Sequence, residues 1–357
     1  MQLTRIDVRN LRNLTGISIN PSPGLNILEG ANASGKTSFL EAIHLLGLAR
    51  SFRTLKSEHL VQHGEESLIL FAMLDKGATH RIGLQRYTDS RLEIHLDGAR
   101  AESRTVLANL LPLQLITPES LSLVTGNPEE RRQYLDWLLF HVEQSFHSIW
   151  SAYQRSLRQR NALLRSEQYR TLPQWTEGLV EAGENINTLR QSLLSELLPH
   201  IQHYVSLLLP DVAFNLHYRQ GWKREETLAE ALDRTVDTDI KMKYTTAGPH
   251  RADVILRVDE EKAVDVFSRG QLKLLLSALK LAQMALFCQR KGTSAVVLID
   301  DLPAELDSDH RNLLLAQLQA LGTQVFVTAT DSSLLNFSAW PETKVFHVEH
   351  GEIKEVV

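Results

Sequence analysis

Two short motifs at opposite ends of the chain must meet in one site, and that requirement constrains the fold more than any other feature. The first, Gly30-Ala31-Asn32-Ala33-Ser34-Gly35-Lys36-Thr37, has the spacing GxxxxGK[ST]. In such a loop glycines let backbone N–H groups curl round the α/β-phosphates of a nucleotide, the lysine reaches the β/γ-phosphates and the last residue offers a hydroxyl to Mg²⁺. The second is the strand end Val296-Val297-Leu298-Ile299-Asp300-Asp301, whose first carboxylate, after four apolar residues, is placed to be the other metal ligand. Thr37 and Asp300 are 263 positions apart, far more than a compact single-sheet kinase or GTPase needs. A large segment is therefore inserted, and the first and last parts of the chain must fold together.

The flanking pattern agrees. Leu25, Ile27 and Leu28 form a short apolar run ending at Glu29-Gly30, and Phe39, Leu40, Ile43, Leu46 and Leu48 recur at helical spacing, so the loop joins a strand to a helix N-terminus, where anions are favoured. The backbone from Asn32 through Ser34 and Gly35 to Lys36, Thr37 and Ser38, with Gly30, forms the expected phosphate cradle.

Three parts follow along the chain, at 1–117, 118–240 and 241–357. The first is strand-rich: Ile17 and Ile19 alternate, Leu68 to Leu74 reads as a buried strand, and Leu92, Ile94 and Leu96 alternate up to an Asp97-Gly98 turn. The second is helical, with apolar residues at helical intervals through Leu135, Leu138 and Leu139, then Leu157, Leu163 and Leu164, then Leu189, Leu193, Leu194, Leu197 and Leu198. Pro173, Pro199 and Pro210 interrupt it and no heptad persists, so long paired coiled-coil arms are not expected. In the third, strands at Val254 to Val258, Ala295 to Ile299 and Val325 to Thr328 alternate with helices opening at Gln271 and Arg311, and a hairpin turns at His350-Gly351. Strand–helix alternation implies parallel neighbours, hence an α/β head assembled from the first and third parts round the helical insert.

Phe267-Ser268-Arg269-Gly270-Gln271 opens a strongly apolar helix some 30 residues before the acidic strand. This turn resembles the signature of ABC-type ATPases, in which SxGQ at a helix N-terminus binds the γ-phosphate of a nucleotide held by a second protomer. The resemblance implies an ATP-dependent homodimer with Ser268, Arg269, Gly270 and Gln271 closing the partner's site. Alternatively Ser268 simply caps a core helix.

Taken in order, Asn10-Leu11-Arg12-Asn13, the phosphate loop, Gln114-Leu115-Ile116-Thr117-Pro118-Glu119, Pro128-Glu129-Glu130-Arg131-Arg132-Gln133-Tyr134-Leu135-Asp136, Gly248-Pro249-His250, the signature and Glu305-Leu306-Asp307 resemble the RecF family of bacterial recombination-mediator ATPases over essentially the whole chain. Ala33, Phe267 and Ala304 stand where that family usually has glycine, leucine and serine. Against transporter ATPases, Arg269 replaces a glycine, Asp301 the water-positioning glutamate, and Thr330 the switch histidine. The resemblance implies an ABC-type P-loop ATPase head with an antiparallel β-subdomain and an inserted helical domain. It further implies a weak, DNA-stimulated ATPase that uses ATP and Mg²⁺ to clamp duplex or gapped DNA in repair and replication restart, with RecR- and RecO-like partners. Within this reading Arg12 and Asn13 touch nucleotide phosphate, Thr37, Asp300 and Gln114 reach Mg²⁺, and Lys36 and Asp301 are catalytic, Asp301 orienting the attacking water. Gln114 reads equally as a strand residue, and Asp301 as a helix cap. A small-molecule P-loop kinase or a transporter ATPase subunit are the competing functions.

Composition sets the remaining bounds. The net charge of −5 requires any DNA contact to come from a local basic patch. Candidates are Arg50, Arg53 and Lys56, and on the insert Arg131, Arg132, Arg155, Arg158, Arg160 and Arg165. One cysteine, Cys288, rules out an internal disulfide framework. Without a charged-then-apolar leader or a charge-free span of about 18 apolar residues, a cytoplasmic location with no membrane partner is expected.

Overall fold

The computed structural model describes residues 1–54 and 56–356, which form two compact units, Met1–Ser120 with Phe287–Val357, and Leu121–Leu286. The first unit carries two six-stranded sheets. One is antiparallel, in the order Leu14–Ile19, Gln2–Leu11, Ser67–Asp75, Thr79–Tyr87, Leu92–Leu96 and Ala99–Arg100. Its strands alternate as a one-faced sheet should: Leu68, Leu70, Ala72 and Leu74 are fully buried while Ile69 is 41% exposed. Asp97 (φ 54°) and Gly98 (φ 86°) make the tight turn between its last two strands, which needs positive φ at both positions.

The other sheet runs Glu352–Glu355, Thr343–Glu349, Leu25–Glu29, Gln324–Ala329, Val296–Ile299 and Leu113–Ile116, parallel except at the closing hairpin. Gln324–Ala329 and Val296–Ile299 are buried at every position, the continuous pattern of strands covered on both faces. The third and sixth of these strands come from the first part of the chain and the other four from the last, so the expectation that the ends of the chain assemble one α/β core is met in the sheet itself. Helix Lys36–Leu48 is buried over most of its length. Its Phe39, Leu40 and Ile43 share a hydrophobic core with Leu70 and Leu84 of the antiparallel sheet and Leu298 and Phe326 of the parallel one.

The second unit is built on helices Pro128–Val142, Phe146–Arg165, Leu172–Leu208 and Leu228–Met242. Leu172–Leu208 is 37 residues long and continues through Pro199, so the expected interruption there is corrected. Pro173 sits in its first turn, where a missing N–H costs nothing, and Pro210 lies past its end. The second expected boundary, at 240/241, also shifts, to Leu286/Phe287 within helix Arg269–Lys291. The strand Asp253–Val258 is the reason: it pairs antiparallel with Phe214–Arg219 in a three-stranded sheet of this unit. It is not a member of the parallel core. Alternation alone cannot say which sheet a strand joins.

Three of the arginines proposed for DNA hold this unit together. Arg160, 1% exposed, donates to Asp239 and to Thr245 Oγ1, both at 2.7 Å. Arg131 forks onto Asp253 at 2.7 and 3.2 Å, and Arg132 donates to the Ala252 carbonyl at 2.8 Å. Arg190 likewise forks onto Asp136 at 2.9 and 2.8 Å and reaches the Pro249 carbonyl at 2.7 Å. His250 lies inside the turn these arginines fix. Burial lowers its pKa to about 4, so near neutrality the ring is uncharged, Nε2–H donates to the Thr245 carbonyl and Nδ1 accepts from Tyr153.

Candidate nucleotide site

The phosphate loop is shaped before any phosphate arrives. Gly30 (φ 149°) lies so close to the Val348 carbonyl that a Cβ would approach it to 2.2 Å, and at Gly35 (φ 126°) a Cβ would meet Leu14 at 2.9 Å. Both glycines are thus required by a left-handed backbone and by space. Ala33 has the same kind of backbone, φ 65°, without being glycine. A left-handed L-residue costs roughly 1–2 kcal/mol, partly offset by the greater freedom glycine has when unfolded. Ala33→Gly is therefore expected to stabilise the protein by about 0.5–1 kcal/mol, read as a higher thermal midpoint with unchanged nucleotide binding.

Asn13 braces this loop. Its Nδ2 donates to the Ser34 carbonyl at 3.1 Å and its Oδ1 accepts from Ser38 Oγ at 3.1 Å, while the Gly351 N–H donates to the same Ser34 carbonyl at 2.9 Å. Lys36 Nζ donates to the Gly30 and Ala31 carbonyls at 2.6 and 2.9 Å. The Ser34 hydroxyl is buried and has no hydrogen-bond partner, an orphan of the kind a bound ligand group satisfies. Asn32 is exposed at the loop tip.

The two distant motifs meet directly. Thr37 Oγ1 lies 3.0 Å from both oxygens of Asp300. Thr328, which motif reading passed over, donates from its hydroxyl to Asp300 at 2.8 Å and accepts from the Asp301 N–H at 2.7 Å. It is a polar side chain that follows three apolar residues in a fully buried strand, and that incongruity was its signal. Burial pushes the Asp300 carboxyl pKa up, the Thr328 and Thr37 hydrogen bonds pull it down, and the carboxylates of Asp301 and Glu119 raise it further. Burial also lowers the Lys36 pKa, opposed by Asp301 and Asp300. Carboxylates crowded beside an aligned hydroxyl suit a hard divalent cation. Among the described residues no group of three or more His, Cys, Asp or Glu could hold a metal unaided, which suits Mg²⁺, whose shell is ordinarily completed by waters and phosphate oxygens.

Other expected contacts are redistributed. Arg12 forks onto Glu41, a fully buried carboxylate of helix Lys36–Leu48 that also accepts from Ser51, through its Nε and Nη2. Gln114 is 3% exposed and stands opposite Val297 in mid-strand. At about 3.3 Å per residue that leaves it roughly 10 Å short of the level of Asp300, so it does not reach the metal position. The strand ends beside Asp300, whose N–H donates to the Ile116 carbonyl at 2.9 Å, and Glu119 follows in the turn Pro118–Leu121. Asp301 occupies the cap position of helix Leu302–Glu305 with φ 54°, yet its carboxylate makes no capping bond and is exposed. The cap reading therefore leaves the side chain unused.

A sequence profile described as RecF/RecN/SMC N terminal domain matches residues 2–354. The chain is 41% identical to the DNA replication and repair protein RecF of Shewanella denitrificans over 356 residues, 99% of each chain. The chain belongs to the RecF family. The RecF of Marinomonas sp. is 40% identical over 99% of this chain and 97% of its own. Among solved structures, one described as the recombination mediator protein RecF-ATPrS in the RecFOR pathway superposes with a TM-score of 0.89 at 25% identity, covering 99% of this chain and 98% of that one. An Smc head domain from Pyrococcus furiosus, bound to the C-terminal domain of ScpA, shares the fold at a TM-score of 0.64 and 14% identity, covering 99% and 96%. The ABC-type head with its helical insert is thus the RecF architecture.

The RecF signature turn lies on the second unit. Ser268 and Gln271 form a reciprocal cap, the Ser268 N–H donating to Gln271 Oε1 at 2.9 Å and the Gln271 N–H to Ser268 Oγ at 3.3 Å. Ser268, Arg269 and Gly270 are nevertheless exposed, so the cap leaves this turn open to solvent. The helix they open, Arg269–Lys291, is long and apolar enough to cross a membrane by composition, but 72% of its most apolar window is buried inside the fold. Asp307, in the RecF Glu305-Leu306-Asp307 run, caps helix Ser308–Ala320 by accepting from the Asp309 and His310 N–H groups, both at 3.1 Å.

Proposed function

We propose that this chain is an ATP-dependent, DNA-binding recombination mediator. It is a weak ATPase that clamps duplex DNA at junctions or gaps when two copies close over ATP, working with RecR- and RecO-like partners in the cytoplasm. The contact between Thr37 and Asp300 carries the reading, because it joins the two halves of a nucleotide site beside the unpartnered Ser34 hydroxyl. Full-length kinship with DNA replication and repair proteins supplies the biological setting.

In this mechanism backbone N–H groups of residues 32–37 and Lys36 hold the phosphates. Thr37 and Asp300 hold Mg²⁺, which when bound supplies charge neutralisation at the β/γ-phosphates. Thr328 fixes the Asp300 carboxylate and the Asp301 backbone together, so the exposed Asp301 carboxylate is aimed from a rigid base to orient water. Ser268 to Gln271 of one copy close on the γ-phosphate held by the other. ATP shifts the open–closed equilibrium only by its preference for the closed pair, and hydrolysis releases it. A small-molecule kinase would leave the exposed signature turn without a task.

Ser268→Arg is the test. Wild type is expected to sediment as a dimer with saturating ATP and Mg²⁺, and the variant as a monomer that still binds ATP at its own Lys36 site. A wild type that remains monomeric under these conditions would refute the clamp.

A further inference from the structure

Strand Thr343–Glu349 flanks the loop-bearing strand Leu25–Glu29 on the side away from Asp300, in parallel register with His347 opposite Glu29. From there it runs on beside the phosphate loop itself. The Val348 carbonyl fills the space where a side chain at Gly30 would stand. Two residues with positive φ, His350 (49°) and Gly351 (81°), then turn the chain back into Glu352–Glu355. At this turn the Gly351 N–H donates to the Ser34 carbonyl at 2.9 Å, which also accepts from Asn13 Nδ2 at 3.1 Å. The fit leaves no room for a side chain: a Cβ on Gly351 would stand 1.9 Å from the Asn13 carbonyl oxygen.

Those two bonds fix more than a carbonyl. The Ser34 C=O and the Gly35 N–H belong to one planar trans peptide and point in opposite directions. Donors that hold the oxygen therefore turn the N–H away from themselves. Both lone pairs of that oxygen are taken, so the peptide cannot swing without losing a bond. Among the described residues the Gly35 N–H has no protein acceptor, and it immediately precedes helix Lys36–Leu48, whose positive end favours phosphate. We propose that the C-terminal hairpin is a working part of the nucleotide site: Gly351, with Asn13, sets the orientation of the Ser34–Gly35 peptide, and so the affinity for phosphates, without touching the nucleotide. Gly351 is a positioning residue supplied by the last few residues of the chain. Its role rests on the reading of residues 30–37 as a nucleotide site.

The test is equilibrium binding of ATP and ADP to the full-length protein, with steady-state hydrolysis alongside. Gly351→Ala is expected to weaken both nucleotides about ten- to hundredfold, the worth of one hydrogen bond to a charged group. Turnover at saturating ATP should stay within about threefold, the split that marks lost uniform binding. Gly322→Ala is the control. Its φ of 63° carries the same left-handed cost, but a Cβ there meets nothing within 4 Å, and its nucleotide affinity should match wild type. Lengthening the turn by one glycine between His350 and Gly351 adds no side chain yet shifts the N–H off Ser34, and should reproduce the loss even where Gly351→Ala unfolds the hairpin. A lengthened turn that binds both nucleotides as wild type does would overturn the proposal. So would Gly322→Ala matching Gly351→Ala, which would make the effect one of general strain. Lys36→Ala separates the two readings: if it alone loses ATP while the hairpin variants bind normally, the nucleotide site stands and only the hairpin's role falls. A wild type that binds no nucleotide removes both.

Discussion

Asp301→Asn should bind ATP within about twofold of wild type and hydrolyse it at least a hundredfold more slowly, since positioned acid–base groups contribute about 10²–10⁴ in rate. The substitution keeps the side chain's size and the left-handed backbone, which Asn tolerates as well as Asp. It also leaves the Asp301 N–H free to donate to Thr328 as before. What it removes is the negative charge on an exposed carboxylate that caps nothing. Binding should survive because Lys36, Thr37 and Asp300 are untouched. The measurement is steady-state phosphate release beside equilibrium binding of a fluorescent ATP analogue; unaltered turnover would return the water-orienting role to another group, with Glu119, whose charge also acts on Asp300, the next candidate. Slow hydrolysis even in wild type fits the site, since aspartate is one methylene shorter than glutamate and a misplacement of about 1 Å can cost about a hundredfold.

The second large effect concerns stability. Asp239→Ala would strand Arg160, which is 1% exposed and has Asp239 as its ion-pair partner. Removing one member of a buried pair costs about 3–5 kcal/mol, because the remaining charge is left without compensation. It would also free Thr246, whose N–H and hydroxyl donate to the same carboxylate at 2.9 and 2.6 Å. For a unit of this size the thermal midpoint should fall by on the order of 10 °C, and proteolysis should begin near residues 243–251. Asp239→Asn should cost less, since its amide oxygen can still accept from Arg160. A Tyr134 or Gln283 substitution is a poorer probe, as both share bonds within the same helical core.

The phosphate loop, the acidic strand end, the signature turn and their order were legible from residue types alone, because each rests on local chemistry. A glycine at positive φ, a hydroxyl after a lysine and a carboxylate after an apolar strand carry their meaning in a few positions. The antiparallel strands and the Asp97-Gly98 turn were equally local. The helix through Pro199 was not: neighbouring packing along Ile201, Tyr204, Val205 and Leu208, all buried, compensates a breaker that sequence reading takes at face value.

What the sequence determined by itself is the inventory of the nucleotide site and the need for the two ends of the chain to meet. Tertiary structure decided which charges are available to act there. Long-range partners, Asp239 for Arg160 and Asp253 for Arg131, turned basic side chains expected at a nucleic-acid surface into struts, while register set Gln114 opposite Val297 and brought Thr328 to Asp300. The physical reason is that an ionic or polar group is spent on whichever partner lies within about 3 Å, and that distance is fixed only when remote segments pack.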